Sequence, residues 1–327
     1  MQLYPMLFNP VLKDYIWGGR RLERFGRDLP DGKQIAESWE IAAHEDGMTV
    51  VENGVFTGKS LQAVLDLMGE DLVGTQNGWA LDQGKFPLLV KLLDANKKLS
   101  VQVHPKDAYA SKHENGELGK SEMWVVLDAS PGAAIIYGLS QPASREDLRQ
   151  AIQTGKLKDY LNTVPIHRGD HVCVPAGTVH AILAGAVIAE IQQNSNVTYR
   201  VFDWNRIGDD GQPRELHIEK ALDVINYDQI GCGLPEPEVI NANDAFSRQR
   251  LCQNKYFTTE RFFIQPGAVF NGECNGSTLE IWGVIDGEVE VAGQPLSAVR
   301  FVLLPAGLGP YQVHAPKGAV LLRTFAE

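Results

Sequence analysis

Glycine and proline divide this chain into short apolar segments, and that spacing limits it to a fold built mainly from β-strands. Glycine occurs 32 times and proline 17 times in 327 residues, without the repeat of collagen, which indicates many turns. Apolar runs such as 181–189 fall well short of the roughly 18 residues that a membrane-spanning helix requires. We therefore expect a mainly β protein that does not span a bilayer. The clearest predicted strands, all rich in β-branched residues, are 87–95, 98–105, 123–129, 171–177 and 187–193.

Three segments carry helical patterns. Ser60 is an N-cap candidate for a helix whose apolar side chains recur at helical spacing up to Met68. Ser144 begins a capping-box pattern that predicts a second helix over 145–153. A third helix is predicted over 215–226.

The composition of the sequence changes after the third predicted helix. Residues 228–244 combine glycine, proline and acidic residues without periodicity, which is typical of a linker. Short strands follow, with hairpin turns predicted at Asp286-Gly287 and at Gly293. The length of the chain also favours about two domains. We therefore predict a catalytic N-terminal domain, 1–235, and a C-terminal domain, 236–327.

The most specific pattern is Gly-x5-Pro-x-Gly-x2-His, which covers residues 169–180. Its glycines and proline predict a tight turn between two strands, and such a turn aims His180 inward at a fixed depth. The pattern resembles the second signature motif of the cupin fold, a jelly-roll β-barrel, although Ala184 replaces the asparagine that usually closes the motif. The resemblance implies a cupin barrel around this segment.

A weaker copy of this pattern occurs near the end of the chain. Both 169–180 and 301–310 consist of a strand that enters a Pro-Ala-Gly turn, but Pro310 stands where the first copy has His180. A duplicated barrel with one working and one silent site explains the copy. Coincidence is the alternative, because the shared residues are few and common. The predicted fold class is therefore mainly β: a double cupin of two jelly-roll barrels with a few helical insertions in its N-terminal part.

Four polar residues near the first turn suit a metal ion. In an extended strand, Gln102 and His104 point to one face while the neighbouring valines point to the other. Glu122 begins the next strand, and His180 ends the motif. Together they form a mixed nitrogen and oxygen set suited to zinc or another divalent transition ion. Taken singly, these residues have an ordinary alternative as surface or hydrogen-bonded side chains, but the cupin turn favours the metal site.

Several segments in order along the first 220 residues carry a family resemblance: IWGG (16–19), IAESWEI (35–41), LLVKLLDA (88–95), LSVQVHP (99–105), GKSEMW (119–124), VPAGTVHAI (174–182) and NSNVTYRVFDWNR (194–206). They resemble the type I mannose-6-phosphate isomerases in their short bacterial form. Beyond about residue 240 the resemblance is mainly to a cupin-like domain without metal ligands. It implies a zinc-dependent aldose–ketose isomerase that interconverts mannose 6-phosphate and fructose 6-phosphate through a cis-enediol. The family's ligands for one zinc ion per chain fall on Gln102, His104, Glu122 and His180.

The resemblance also assigns roles to basic residues. The family's essential arginine falls on Arg200, a lysine of its pocket falls on Lys120, and related members carry a basic side chain at the position of Arg206. Proton transfer between C1 and C2 requires a base, an electrophile over the substrate oxygens and a clamp for the phosphate. Lys120 and Arg200 are therefore candidates for catalysis and substrate binding. Arg206 is a candidate for substrate binding, since a guanidinium group binds two phosphate oxygens.

The general base is less clearly indicated. Glu190 and Gln192 alternate on a predicted strand, so Glu190 faces either the metal cavity, as a catalytic residue, or solvent, as an ordinary surface residue. Members of the family have a carboxylate at this position. A second acid–base position of the family, four residues before Arg200, is Asn196 in this chain, and an amide cannot exchange that proton usefully.

The charge balance narrows the class of partner. Lysine and arginine together number 30, and aspartate and glutamate 41, which gives a formal net charge of −11. Nucleic acids and anionic membranes are not expected as partners, because both are bound mainly through excess basic residues. We expect a small phosphorylated sugar as substrate, and a monomer or weak homodimer.

The N-terminus and the cysteines indicate the compartment. The chain begins with neither a basic segment nor a small-residue cleavage site, so we expect no signal peptide. Its four cysteines form no C-x-x-C pair and are too sparse for a disulfide scaffold. We expect a reducing, cytoplasmic environment, in which Cys173 acts as a small hydrophobic residue. The cysteines are Cys173, Cys232, Cys252 and Cys274.

Two other functions fit the same residues. A cupin oxygenase or sugar epimerase would use the same barrel, but oxygenases favour a histidine-rich iron site, so Gln102 and Lys120 count against it. A non-catalytic sugar-phosphate-binding protein would keep the metal site only to bind its ligand. Metal analysis with an oxygen-uptake assay tests the first alternative, and calorimetric binding without product formation would favour the second.

Overall fold

The computed structural model describes residues 3–208 and 211–327, and strands dominate this part of the chain. They form two jelly-roll barrels, which confirms the predicted mainly β, double-cupin fold class. Within the described ranges, no helix combines the length and hydropathy that a membrane span requires. The strands of the first half are β1 Phe8–Asn9, β2 Val11–Lys13, β3 Glu37–Ile41, β4 Ala43–His44, β5 Gly47–Met48, β6 Val50–Val51, β7 Leu88–Ala95, β8 Val101–Val103, β9 Glu122–Ala129, β10 Ala134–Leu139, β11 Leu161–Pro165, β12 His171–Val174, β13 His180–Ile182, β14 Ala186–Gln193 and β15 Tyr199–Phe202.

Two antiparallel sheets form the first barrel. The five-stranded sheet has the order β11-β10-β13-β8-β15, and the six-stranded sheet has the order β12-β9-β14-β7-β3-β2. In the first sheet, Gln102 of β8 pairs with His180 of β13 on one side and with Arg200 of β15 on the other. Because residues opposite one another in antiparallel strands share a face of the sheet, these three side chains project from one face.

The described helices lie in the N-terminal part, as predicted. The hydroxyl of Ser60 accepts a hydrogen bond from the N–H of Ala63, so it caps the first helix. Ser144 and Asp147 form the predicted capping box. The helices are α1 Leu61–Met68, α2 Glu70–Val73, α3 Gly78–Asp82, α4 Asp107–His113, α5 Arg145–Gln153 and α6 Ile218–Val224.

The third predicted helix, 215–226, is shorter than expected. Helix α6 begins only at Ile218. The N–H of His217 donates to the carbonyl oxygen of Arg200 in β15, which ties the segment before the helix to the edge of the sheet. At the other end, Ile225 has an extended conformation that ends the helix. Just beyond it, the N–H of Asn226 donates to the carbonyl oxygen of Gly177 at 2.7 Å, so contacts with the barrel, rather than local helical spacing, set both ends of α6.

The second barrel is formed by the C-terminal strands. Its main path has the order β16-β17-β18-β24-β20-β23-β19, and β21 and β22 also pair with β20, where β16 is Glu238–Ala242, β17 Phe246–Gln253, β18 Phe257–Ile264, β19 Ala268–Cys274, β20 Glu280–Val291, β21 Gln294–Ser297, β22 Arg300–Leu304, β23 Gly309–Ala315 and β24 Ala319–Ala326.

One of the two predicted hairpin turns is wrong. Strand β20 continues through Asp286-Gly287, where its pairing with β24 shifts register after Val284 and Gly287 adopts a φ of 90°. The glycine therefore serves a bulge rather than a turn. The hairpin between β20 and β21 turns at Ala292 and Gly293, which both have positive φ. This confirms the turn predicted at Gly293.

Part of the predicted linker, 228–244, is a strand. Strand β16 lies within it and pairs with β17 of the second barrel. The two halves also share an apolar core that includes Met6, Phe86, Phe257 and Leu303. The backbones of Met6 and Leu303 exchange hydrogen bonds of 2.8 and 3.0 Å across the halves. The domain boundary near residue 235 stays a prediction, and the two halves are packed together.

A disulfide between Cys173 and Cys252 also joins the halves. The expectation that Cys173 acts as a small hydrophobic residue is therefore wrong. Strand β12 of the first barrel packs against β17 of the second, which brings the two Cα atoms to 5.7 Å. The partners are separated by 79 residues, so the pair depends on tertiary packing that sequence spacing does not reveal.

The two Pro-Ala-Gly segments share a turn hydrogen bond, although only the first has its glycine at positive φ. In the first, the N–H of Thr178 donates to the carbonyl oxygen of Pro175 at 3.0 Å, and in the second Leu308 donates to Pro305 at the same distance. The first turn requires its glycine, because Gly177 has a φ of 97° and a Cβ there would lie 3.0 Å from a backbone oxygen. Both segments run from strand to turn to strand, which favours duplication over coincidence.

Candidate metal centre and active-site cavity

Three buried side chains converge inside the first barrel. His104 follows β8 directly, Glu122 begins β9 and His180 begins β13, and their candidate ligand atoms all lie within 4.8 Å of one another. Nε2 of His104 is 3.1 Å from Oε1 of Glu122, and Nε2 of His180 is 3.8 Å from Oε2 of Glu122. Such separations fit atoms that surround one ion with bonds of about 2.1 Å. The structure thus brings together three of the four predicted ligands.

A backbone hydrogen bond fixes each imidazole. Nδ1 of His104 lies 2.7 Å from the carbonyl oxygen of Val197, and Nδ1 of His180 lies 2.9 Å from that of Thr178. Because a carbonyl oxygen only accepts, each Nδ1 carries the proton and donates it. Each Nε2 therefore keeps its lone pair for the site, which is the tautomer that a metal ligand needs.

The electrostatics of this trio suit a cation. Burial and then the ammonium of Lys120 lower the pKa of His104 to about 3, and burial lowers the pKa of His180, so both imidazoles are neutral. Burial alone would raise the pKa of Glu122, but the positive charge of Lys120 acts most strongly against it, and the pKa lies well below its usual range.

Two acceptor atoms of the trio face each other. Nε2 of His104 and Oε1 of Glu122 are buried; among the described residues Nε2 has no hydrogen-bond partner, and Oε1 has an ion pair with Lys120. A neutral imidazole nitrogen and a carboxylate oxygen at 3.1 Å repel unless a cation lies between them. The trio could therefore hold a divalent metal ion.

Gln102 and Lys120, both predicted from the sequence, lie beside the trio. The side-chain amide nitrogen of Gln102 is 3.3 Å from Nε2 of His180. Nζ of Lys120 is 2.6 Å from Oε1 of Glu122, and the lysine is 3% exposed. The role of Gln102 as the fourth ligand stays a prediction.

A cavity of about 300 Å³ opens beside the trio. It is large enough for a small ligand, and side chains from both sheets of the first barrel surround it. The aromatic side chains of Tyr15, Trp17 and Trp124 form part of its wall. The lining includes Tyr15, Trp17, Glu37, Lys91, Ser100, Gln102, Lys120, Glu122, Trp124, Glu190, Asn196, Thr198, Arg200 and Arg214.

Glu190 lines this cavity and is 2% exposed, so its interpretation as a surface residue is wrong. Its carboxylate lies 3.1 Å from Nζ of Lys91, which also lies 3.3 Å from Glu37. Burial, and next the negative charge of Glu122, raise the pKa of Glu190 to about 7, although Lys91 opposes the shift. A carboxyl group with a pKa near neutrality suits proton transfer.

Sequence analysis does not single out Lys91 or Glu37. Lys91 interrupts an otherwise apolar run at 88–93, which is a signal for a buried functional lysine. Glu37 alternates with Trp39, whose indole N–H donates to it at 2.6 Å. The partnership of Lys91 with Glu190 follows from the register of β7 and β14, in which they face each other, and no short motif encodes it.

Asn196 lines the cavity, as its position before Arg200 predicts. Its side-chain amide donates to Oδ2 of Asp46 at 2.7 Å. The residue is anchored in the wall by that bond.

The structure separates the predicted arginines. Arg200 lines the cavity, whereas Arg206 lines an adjoining groove of about 540 Å³, with Tyr15 in the wall of both. Arg214, which sequence analysis does not identify, lines the cavity beside Arg200. The signal for Arg214 is weak, because it follows a loop and belongs to no motif. Substrate binding by Arg206 stays a prediction.

The sequence and the structure of this chain are both similar to those of known proteins. Residues 6–126 match the model of the phosphomannose isomerase type I catalytic domain. The mannose-6-phosphate isomerase of Bacillus subtilis is 36% identical over 324 residues, which cover 96% of this chain and 97% of that protein. A crystal structure of the Bacillus subtilis mannose 6-phosphate isomerase superposes with a TM-score of 0.87 at 33% identity, over 98% of this chain and 99% of that one.

A zinc-bound mannose 6-phosphate isomerase shares the fold, with a TM-score of 0.77 and 16% identity over 99% of each chain. At that identity the likeness concerns the fold. The two Bacillus subtilis matches, both above 30% identity, extend over nearly the whole of both chains. The match to the catalytic-domain model and the buried trio beside its cavity support the same family. The chain therefore belongs to the family of type I mannose-6-phosphate isomerases.

Proposed function

We propose that this protein is a zinc-dependent aldose–ketose isomerase that interconverts mannose 6-phosphate and fructose 6-phosphate. The observation that carries the proposal is the buried trio, which adjoins a cavity lined by both Glu190 and Arg200. Family membership favours an isomerase over a cupin oxygenase, an epimerase or a non-catalytic sugar-phosphate-binding protein. The substrate is accordingly a small phosphorylated sugar.

The proposed zinc ligands are Nε2 of His104, Nε2 of His180 and the carboxylate of Glu122, with Gln102 as a fourth ligand. This nitrogen and oxygen set is one that zinc accepts. When bound, zinc supplies Lewis-acid polarisation of a substrate oxygen. One ion per chain is expected, because Pro310 replaces the motif histidine in the second barrel.

Glu190 is the proposed base. It removes the proton from C2 of the aldose, and the electron pair of that C–H bond forms the C1=C2 double bond of a cis-enediol while the π pair of C1=O moves onto O1, which takes up a proton. In the second step O2 loses its proton and forms the C2=O bond, and Glu190 returns its proton to C1, so that over both steps one proton has passed from O2 to O1. The ammonium of Lys91, at 3.1 Å, holds the carboxylate in place. Lys120 is close enough to the trio to donate a hydrogen bond to a substrate oxygen there.

Positive charge in the cavity wall suits the phosphate. Arg200 is proposed to bind it within the cavity. Arg206, which lines the adjoining groove with Lys33 and Lys97, is proposed to attract the substrate there. Local cations of this kind allow an acidic protein to capture a small dianion.

A coupled assay for fructose 6-phosphate formed from mannose 6-phosphate tests the function. Activity should disappear after exhaustive chelation and return when zinc is added. His104→Ala should abolish activity, whereas Arg200→Ala should lower turnover and leave the metal bound. Full activity of the metal-free protein would contradict the role of zinc, and unchanged kinetics of the Arg200 variant would remove that residue from the site.

A further inference from the structure

Beside the cavity, one buried carboxylate is shared by two arginines. Nε and Nη2 of Arg214 donate to the two oxygens of Asp203, at 2.8 and 2.6 Å. The guanidinium of Arg206 also donates to Asp203, which is 5% exposed. Burial alone would raise the pKa of Asp203, but Arg214 and Arg206 outweigh it and lower the pKa, so Asp203 is ionised.

The same region has a surplus of positive charge. Arg200 lies near both other arginines, and its pKa is lowered by burial and then by the charge of Arg214. Asp203 neutralises one positive charge of the three. Glu215 is a second nearby carboxylate, but its side chain is 83% exposed, so water screens it. An anion is therefore the ligand that this group of arginines favours.

The side chain of Arg200 has an unsatisfied donor. Its Nη1 donates to the carbonyl oxygen of Glu215 at 2.7 Å. Its Nε is buried and, within the described parts of the chain, has no hydrogen-bond partner. An unpaired buried donor is costly, and an oxygen of a bound anion would satisfy it.

Arg214 and Arg206 differ in what they face. Arg214 lines the cavity together with Arg200, whereas Arg206 lines the adjoining groove. Asp203 thus holds one arginine at the cavity and another at the groove. A guanidinium group carries five N–H donors, and Asp203 takes two of those of Arg214 in a bidentate pair, which fixes the plane of its fork.

We propose that Arg214 binds the phosphate of the substrate together with Arg200, and that Asp203 is a positioning residue that aligns Arg214. The inference rests on the proposed function, since it identifies the cavity as the substrate site. The cavity is lined both by Glu122 of the trio and by the two arginines. A sugar phosphate carries its reacting carbons and its phosphate at opposite ends, so it can meet both within one cavity.

Arg214→Gln tests the proposal through KM and kcat measured separately. We expect KM for mannose 6-phosphate to rise at least tenfold, about 1.4 kcal/mol of lost binding, with a smaller change in kcat. The inhibition constant of inorganic phosphate should rise in parallel. Arg24→Gln is the matched control, because Arg24 is 73% exposed and lies outside the cavity lining, and it should leave both constants unchanged.

Asp203→Asn and Arg214→Lys separate charge from alignment. Asp203→Asn keeps Arg214 but removes its anionic partner, so it should raise both constants by a smaller factor. Arg214→Lys keeps the charge and should recover part of the phosphate inhibition that Arg214→Gln loses. If Arg214→Gln does not fold, as judged by its circular dichroism, the lysine variant carries the test. An inhibition constant of phosphate unchanged in Arg214→Gln, or in Arg214→Lys where the former is unfolded, would overturn the proposal.

The proposed function and this inference fail in different ways. If the wild-type protein did not isomerise the sugar phosphate, calorimetric titration with inorganic phosphate would still compare the wild type with Arg214→Gln. Weaker phosphate binding by the variant would then support the anion site without the isomerase. Normal isomerase activity and unchanged phosphate affinity in the variant would refute the anion site alone.

Discussion

The two barrels place a glutamate and a tryptophan at corresponding points of their sheets. In the first barrel, the indole N–H of Trp124 donates to Glu122 at 3.1 Å. In the second barrel, Trp282 donates to Glu280 at 3.0 Å. Each glutamate lies opposite the residue that precedes a Pro-Ala-Gly turn. The two barrels therefore keep the same carboxylate on the same framework.

The surroundings of the two carboxylates differ. Glu122 faces two neutral imidazoles and a cavity. Its counter-ion among the described residues is Lys120. Glu280 accepts hydrogen bonds from Tyr311 and from Nε of Arg323 at 2.8 Å. A guanidinium of the chain itself thus supplies the cation in the second barrel.

The charge pattern of the neighbouring strands is reversed. Glu190 faces Trp124 and Lys91 across β14, whereas Arg323 faces Trp282 and Glu260 across β24. A carboxylate at this point in the first barrel becomes a guanidinium in the second. One framework therefore holds either the proposed metal site and base or a self-contained ion pair, depending on which charge occupies this point.

Removing the glutamate should have opposite consequences in the two barrels. Glu122→Gln should lower kcat by about 10⁴-fold, because a metal ligand is lost and Lewis-acid polarisation contributes several kcal/mol. Glu280→Gln should leave kcat unchanged and lower stability. Kinetic assays of both variants, with thermal unfolding as the control for folding, make the comparison. Equal losses of activity would show that the second barrel is not silent.

The next largest effect on activity is expected at Glu190, whose place in the second barrel is taken by Arg323. Glu190→Gln should lower kcat by about 10³-fold, within the range that a general base contributes, and leave the metal content unchanged. Steady-state kinetics and metal analysis of the purified variant measure both. Retention of activity above a tenth of the wild-type value would exclude Glu190 as the base.

Arg323→Met should lower the free energy of unfolding by about 3 kcal/mol, because it leaves Glu280 buried without its cation. The turnover of the folded enzyme should not change. Chemical denaturation of the variant and of the double variant Glu280→Gln/Arg323→Met tests this. The double variant should recover part of the lost stability, and a further loss in it would contradict the interpretation of the pair.

A smaller effect is expected where the barrels meet. His171 of β12 is 4% exposed, and burial followed by the charge of Arg261 lowers its pKa to about 4. The unfolded chain takes up a proton near pH 6.5, but the folded protein does not. Stability should therefore fall as the pH drops from about 6.5 to about 4, by up to about 3 kcal/mol from this residue. His171→Gln should flatten this part of the stability profile, measured by denaturation at several pH values, and an unchanged slope would refute it.

Local signals predict some of these features well. The turn at 169–180 and the spacing of Gln102 and His104 are encoded in a few adjacent residues, so both the first barrel and the metal trio are predictable. Helices α1 and α5 follow from their caps. A repeated Glu-x-Trp-x-Val-x-Asp pattern at 122–128 and 280–286 also indicates the duplication, although the sequence analysis relied on the Pro-Ala-Gly turns alone.

Other features depend on contacts between distant segments. Lys91 meets Glu190 only because β7 and β14 pair in one register, and Arg214 enters the cavity from a loop. Cys173 and its partner are brought together by packing of the two halves. The predicted turn at Asp286-Gly287 is wrong because a bulge and a hairpin turn favour similar residues.

Metal stoichiometry tests the difference between the barrels most directly. The wild-type protein, Glu122→Gln and Glu280→Gln would each be equilibrated with zinc, dialysed and analysed for bound metal per chain. We predict one ion in the wild type, none in Glu122→Gln and one in Glu280→Gln. An ion retained by Glu122→Gln would contradict the assignment of the metal site to the first barrel alone. Two ions in the wild type, with only one of them left in Glu280→Gln, would contradict it as well.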